Sequence, residues 1–398
     1  MRSVTYVANN DVTLLETGQQ LFPAMIEAID AAQHEILFET YIFAEDRVAL
    51  GIAAALMRAA GRGVKVRVLV DWFGTGNSTC RRLGVAFAAA GVHYRIFNRW
   101  FRRGIARTHR KITVVDRAVA FVGGININDD MLCDYDPARS LPAPRWDFAV
   151  RVRGPLVAQV HFEAQAQWMR AGHLKLIHRM ELFLESQRET RRETRRETGP
   201  QPTGEGTRPM RAGFVVRDNL RNRRTIQRAY LQAIGQARKS VLLANPYFAP
   251  GRKFRDALAQ AASRGVEVTL LIGVGEFRMQ DAVARSFYPK LLAAGIQVVE
   301  YRKTQLHAKV AVVDDDWATV GSSNCDGLSL FLNQEANIVV RNASFAQAVR
   351  SHIRRGIADG VVVCPKEFEG VGWMRRASYG LAYLLYKLTM RIFAIGYA

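Results

Sequence analysis

The chain has 398 residues, 49% of them hydrophobic, and a formal charge of +20. That length accommodates two full cores, and the composition excludes a disordered or collagen-like chain. So positive a field attracts polyanions, either nucleic acid or an anionic membrane surface.

Taken in chain order, Met1–Asn10 lacks the apolar stretch of a signal peptide. Glu35–Phe43 reads as a buried strand. Leu50–Ala60 reads as an amphipathic helix that stops at Arg62-Gly63. Val64–Val70 is a second strand, a further helix ends at Ala90-Gly91, and His109 begins the next strand pair. The series then repeats. Ser240–Phe248 is a strand, Phe254–Ala262 a helix stopping at Arg264-Gly265, and Val266–Ile272 a strand; a helix ends at Ala294-Gly295, and His307 begins the next strand pair. Alternating strands and helices predict an α/β fold of two similar halves, each a sandwich with its sheet covered on both faces. A pseudo-two-fold relation between them would place the active site between the halves. The expected boundaries are 1–184 and 212–370, joined by a charged and Pro/Gly-rich linker at 185–211 and followed by an amphipathic helix at 371–398.

One skeleton occurs twice. His109, Lys111 and Asp116 precede Gly123-Gly124-Ile125-Asn126, and His307, Lys309 and Asp314 precede Gly321-Ser322-Ser323-Asn324 at the same spacings. Residues two apart in a strand share a face, so each His projects with its Lys. Imidazole is a nucleophile when neutral and an acid when protonated, near neutral pH. Lys can neutralise phosphate oxygens and Asn can donate to them. Two such sets would surround one phosphoryl group with two cations and two amides. Asp116 and Asp314 are fixed members of the motif, but parity from Lys puts them off the active face, as turn or scaffold residues. Asp147 and Glu335 are the better partners for the far nitrogens of the two imidazoles. The lone histidines His34, His93, His161, His173, His178 and His352 read as structural. Cys80, Cys133, Cys325 and Cys364 include no CxxC pair, which points to neither a zinc site nor a disulfide framework.

The skeleton resembles the phospholipase D superfamily, whose signature is H-x-K-x4-D followed by G-G/S-x-N. The resemblance covers nearly the whole chain. Within the superfamily it looks most like the bacterial cardiolipin synthase B branch. Arg107–Ile112, Asp147–Pro155, Arg217-Asp218-Asn219, Ala244–Gly251 and Trp317–Asn324 carry that likeness. It implies transfer without metal or cofactor. One His takes the phosphatidyl group of phosphatidylglycerol, and the other protonates the departing glycerol and then deprotonates a second phosphatidylglycerol. By this analogy His109 is the nucleophile and His307 the acid–base, although the two half-sites are alike in sequence. Lys111, Lys309, Asn126, Asn324 and Ser323 would bind phosphate, and Ile125 departs from the hydroxyl pattern at its position. Asp147 and Glu335 would hold the imidazoles.

Membrane contact is expected at two places. Arg95, Arg99, Arg102, Arg103, Arg107 and Arg110 form a cationic run around Trp100 and Phe101 that suits anionic head groups. Trp373–Ala398 carries Leu381, Leu385, Leu388, Ile392 and Ile395 on one helical face, opposite Arg376, Lys387 and Arg391. No uncharged run is long enough to span a bilayer, so the helix would lie in the interface, on the cytoplasmic face of the inner membrane. The expected partner is anionic phospholipid and the membrane surface. Nucleic acid is not expected, and no protein partner can be inferred. Transfer to water or to another alcohol, and less favourably nuclease-like cleavage, remain alternative activities.

Overall fold

The computed structural model describes residues 4–101, 106–134, 136, 138–172, 209–218, 222–366, 370 and 372–395, with backbone alone for 101, 328, 331, 375 and 390–395. Among these residues there are two compact units. The amino-terminal unit gathers Thr5–Asp129 with the chain from Ala149 to Phe214; the carboxy-terminal unit gathers Asp130–Phe148 with the chain from Val215 onward. The units therefore do not follow the expected boundaries at 184 and 212. A nineteen-residue stretch of the first half folds with the second motif. Residues 185–208 of the expected linker lie outside the described residues, and its last two positions already belong to the strand Met210–Arg217.

In the amino-terminal unit the strands run in the order Val7–Glu16, Phe148–Arg153, Val119–Gly123, Lys111–Val115, Glu35–Thr40, Lys65–Asp71, His93–Phe97. The last three are mutually parallel, and the neighbouring pairs from Glu35–Thr40 to Phe148–Arg153 are antiparallel. The carboxy-terminal unit has the same plan: Glu335–Arg341, Trp317–Gly321, Val310–Val313, Ser240–Asn245, Glu267–Gly273, Gln297–Tyr301, then Val361–Val362.

The helices also match. Thr17–Ala31, Arg47–Gly61, Asn77–Ala89 and Leu156–Ala171 have counterparts in Thr225–Gln236, Arg252–Ser263, Arg278–Ala293 and Ala343–Ala358. The helix Arg47–Gly61 starts where the Asp46 carboxylate accepts from Ala49 N at 2.8 Å, satisfying a first-turn donor. It ends two residues before Gly63, at φ +89°, and its counterpart ends two residues before Gly265, at φ +84°. That left-handed turn is open to glycine and costly for other residues. Ile52, Ala53, Ala55, Leu56 and Ala59 form the helix's buried stripe, and pack with Ile36, Phe38, Val66 and Val68 of the sheet.

The helix Trp373–Ile395 packs against Arg278–Ala293 through its tyrosines. The Tyr383 ring meets Phe287 edge-on at 5.1 Å, and Tyr386 Oη accepts from Gly327 N at 2.8 Å. Leu381, Leu384, Leu385 and Leu388 of the same helix are exposed, each by 45–57%. Among the described residues no helix is long and apolar enough to cross a membrane.

Candidate active site

Each motif histidine sits just before its strand rather than within it. The first strand begins at Lys111 and the second at Val310. Both histidines are largely buried, at 8% exposed for His109 and 3% for His307. In both motifs the lysine folds back on its own histidine. Lys111 Nζ donates to the His109 carbonyl at 2.8 Å, and Lys309 Nζ to the His307 carbonyl. The ammonium is thereby fixed beside the imidazole's backbone. Burial pulls the Lys309 ammonium below the ordinary lysine range, and Asp147, at 3.6 Å, opposes this.

Asp147 is the main organiser of the carboxy-terminal motif. Its segment runs beside the motif histidine: Trp146 N donates to Gln305 O and His307 N to Trp146 O, both at 2.9 Å. This docking places Asp147 Oδ2 2.6 Å from His307 Nδ1. Asp147 Oδ1 accepts from Phe148 N at 2.7 Å, which holds the carboxylate in place. A carboxylate only accepts, so His307 carries a proton on Nδ1, which leaves Nε2 as the nitrogen not engaged by Asp147.

Arg145, which the sequence reading passed over, lies buried behind this pair. It bonds Gln305 Oε1 at 3.1 Å and is ion-paired with Asp134 at 3.0 Å and Asp130 at 3.5 Å. Nothing in its local sequence distinguished it from a surface arginine. Glu335 is fully buried and accepts from Ser322 Oγ.

The amino-terminal motif is braced differently. Arg110 pairs with Glu39 through two bonds of 3.0 and 2.7 Å, and both side chains are almost wholly buried. Thr108 Oγ1 also donates to Glu39. The corresponding positions in the second half are Ala308 and Ala244, both fully buried. Asp71 accepts from Thr108 N at 2.9 Å, and burial pushes its carboxyl up to about 6 against three backbone donors. The Tyr41 ring lies 4.8 Å from the His109 ring and 5.1 Å from Lys111 Nζ.

Asp116 and Asp314 stand at the far end of their strands from the lysines. The Asp116 carboxylate accepts from Gln33, His34 and Glu35 N–H at 2.7–2.8 Å. Asp314 accepts from Arg238, Lys239 and Ser240 N–H at 2.7–3.1 Å. Both residues are left-handed, at φ +48° and +47°. Each ties the start of the neighbouring antiparallel strand to the end of the motif strand, a scaffold contact.

Asn126 and Asn324 are buried at equivalent positions, and the Oδ1 of each has no hydrogen-bond partner among the described residues. Buried amides are normally satisfied, and the same exception occurs at both positions. Ser323 Oγ makes one long bond of 3.5 Å, to Asn324 O, while Ile125 sits in the apolar core.

Several members of the cationic run make contacts within the fold. Arg95 stacks on Trp168 at 4.1 Å, Arg107 on Phe73 at 3.7 Å, and Arg110 is spent on Glu39. Arg99 and Trp100 are exposed, and 102–105 lie outside the described residues. Of these contacts only the Arg110–Glu39 ion pair offsets charge, since stacking on a ring leaves a guanidinium charged. His161, read as structural, bonds Glu35 at 2.9 Å. Cys80, Cys133, Cys325 and Cys364 are free thiols. Among the described residues no group of three or more His, Cys, Asp or Glu side chains is placed to hold a metal ion.

Two equivalent half-sheets, each with a His-x-Lys motif at the start of the equivalent strand, define a phospholipase D-type fold. The family described as "Cardiolipin synthase, PLD-like domain" matches residues 25–136 and 230–357, one match in each half. The chain is 40% identical over 361 residues to cardiolipin synthase B of Salmonella typhi, spanning 87% of this chain and 80% of that one. It is 39% identical over 365 residues to cardiolipin synthase B of Escherichia coli K12, spanning 88% and 81%. Phosphatidylserine synthase of Haemophilus influenzae shares the fold with a TM-score of 0.69 at 14% identity, covering 98% of this chain and 95% of that one. The chain belongs to the cardiolipin synthase family of phospholipase D-like proteins.

Proposed function

We propose that the chain is a cardiolipin synthase, moving a phosphatidyl group from one phosphatidylglycerol to the glycerol hydroxyl of another. The observation that carries this reading is a His-Lys-Asn set present twice, on matching strands, in a chain that is 40% identical to cardiolipin synthase B. In the first step His109 Nε2 attacks phosphorus. A P–N bond forms, the P–O bond to glycerol breaks, and the glycerol oxygen takes the proton from His307 Nε2. In the second, the acceptor hydroxyl returns a proton to His307 Nε2, its oxygen bonds phosphorus, and the P–N bond breaks. The hydrogen bond from His307 to Asp147 suits the acid–base role, since the carboxylate stabilises the imidazolium between steps. Lys111 and Lys309 neutralise the phosphoryl oxygens. Asn126 and Asn324 offer amide N–H donors to the same oxygens, and Ser323 adds a hydroxyl. Asp116 and Asp314 hold the strands, and Glu335 serves the other imidazole.

Water competes with the acceptor lipid, so transfer requires a membrane surface. The exposed leucines of Trp373–Ile395 supply an apolar face to lie in the interface, and the +20 charge favours anionic lipid. The chain then works as a peripheral protein on the cytoplasmic face of the inner membrane.

The test is product analysis with phosphatidylglycerol vesicles in the presence of EDTA. Cardiolipin and glycerol in equal amounts support the reading, and phosphatidic acid as the dominant product contradicts it.

A further inference from the structure

A cleft of about 540 Å³ opens within the carboxy-terminal unit, beside the second motif. One wall is the segment carrying Ser140 and Pro142, and the other carries Glu276, Arg302, Thr304 and Gln305. None of these residues has a part in the phosphoryl chemistry above. The cleft reaches that chemistry through the backbone. Gln305 is two residues before His307, and its Oε1 accepts from the buried Arg145 at 3.1 Å, two residues before Asp147. Glu276 lies close enough to Lys309 to feel its charge.

The groups here are a hydroxyl on each wall, the Gln305 amide and the Glu276 and Asp281 carboxyls, with the guanidiniums of Arg139, Arg285 and Arg302, the last two also paired with Glu300. Such a set donates and accepts over a short distance, as a vicinal diol requires, and Leu141, Pro142 and Val274 line the cleft beside it. Tyr247 Oη donates to Glu276 Oε2 at 3.4 Å, a long bond that leaves the carboxyl capacity for other donors. Burial pushes the Glu276 carboxyl up to about 7, against the neighbouring Gln305 side chain. Near neutral pH it therefore exchanges between donor and acceptor forms, and either form can bond a hydroxyl.

We propose that this cleft is the subsite for the glycerol head group exchanged at His307, with Glu276, Gln305 and Thr304 bonding its hydroxyls and Arg302 meeting the phosphate of the incoming lipid. The inference rests on the phosphatidyl-transfer reading for its role in turnover. Because one imidazole serves both the departing and the arriving alcohol, one polyol subsite serves both as well.

Two readouts on the full chain separate the subsite from that reading. In the first, binding of glycerophosphoglycerol, the deacylated head group, is measured by calorimetry on wild type, Glu276→Ala, Glu276→Gln and Ser140→Trp, the last of which blocks the mouth from the opposite wall. Glu276→Ala and Ser140→Trp are each expected to weaken binding about tenfold or more, and Glu276→Gln less. In the second, phosphatidylglycerol vesicles are supplied with added glycerol, and phosphatidyl transfer to glycerol or lipid is compared with transfer to water. The transfer-to-hydrolysis ratio is expected to fall about tenfold in Glu276→Ala. Unchanged binding in both Glu276→Ala and Ser140→Trp overturns the subsite, as does a fall in all products at a constant ratio. Head-group binding that depends on Glu276, in a wild-type chain that makes only phosphatidic acid, supports the subsite and contradicts the transferase reading.

Discussion

Asp147 and His307 are 160 residues apart in sequence and 2.6 Å apart in space. The carboxylate orients the ring, selects its tautomer and stabilises its charged form. Asp147→Asn keeps the shape and reverses the hydrogen-bond polarity. We expect kcat to fall by about two to four orders of magnitude, with vesicle binding and the unfolding midpoint nearly unchanged. Steady-state assay beside thermal unfolding separates loss of chemistry from loss of fold.

Asp314 is predicted to behave in the opposite way. Its carboxylate satisfies three backbone donors and maintains a left-handed turn. Asp314→Ala should cost on the order of 2–4 kcal/mol, combining unsatisfied donors with residual turn strain. The unfolding midpoint should drop by several degrees, and activity should track the folded fraction. A large fall in kcat without a shift in midpoint would give Asp314 a direct chemical role.

Glu35 gives the amino-terminal unit a pH-dependent component of stability. Burial raises its carboxyl, but His161 and Arg117 hold it down at about 2, against an ordinary 4.5. A depressed carboxyl stabilises the fold above pH 4.5, and that contribution is lost as pH falls toward 2. The full contribution is on the order of 2–3 kcal/mol. Glu35→Gln should therefore lower the midpoint of unfolding at pH 7, with the gap to wild type closing as pH approaches 2. Denaturant titrations at a series of pH values measure this.

The helix Trp373–Ile395 offers its leucines outward while its tyrosines hold the core. Replacing Leu381 and Leu385 with glutamine removes exposed apolar area and disturbs little packing. Each leucine withdrawn from the interface should cost about 1–2 kcal/mol, so partition onto anionic vesicles should weaken at least tenfold. Cosedimentation reads the effect, and equal partition of the double variant would remove the helix from the interface.

The architecture was legible because period and punctuation repeat. The glycines after Arg62 and Arg264 and the doubled motif identified the matching elements to within a few residues. Asp147 was legible as an imidazole partner through the family resemblance carried by Asp147–Pro155. The exchange of Asp130–Phe148 into the other unit was not, since pairing of Trp146 with Leu306 is a long-range backbone contact that leaves no local periodicity. Arg110 and Arg107 read as surface charge because Glu39 and Phe73, which engage them, are distant in sequence. Glu276 was invisible for the same reason: its cleft is made by segments more than 130 residues apart.

The central claim is that two imidazoles act in turn on one phosphorus, through a phosphatidyl-histidine. The most direct test is the stereochemical course, using phosphatidylglycerol made chiral at phosphorus with oxygen isotopes. Two successive in-line displacements predict overall retention of configuration in the cardiolipin formed. Inversion would mean that the acceptor attacks the donor lipid directly, and would contradict the account.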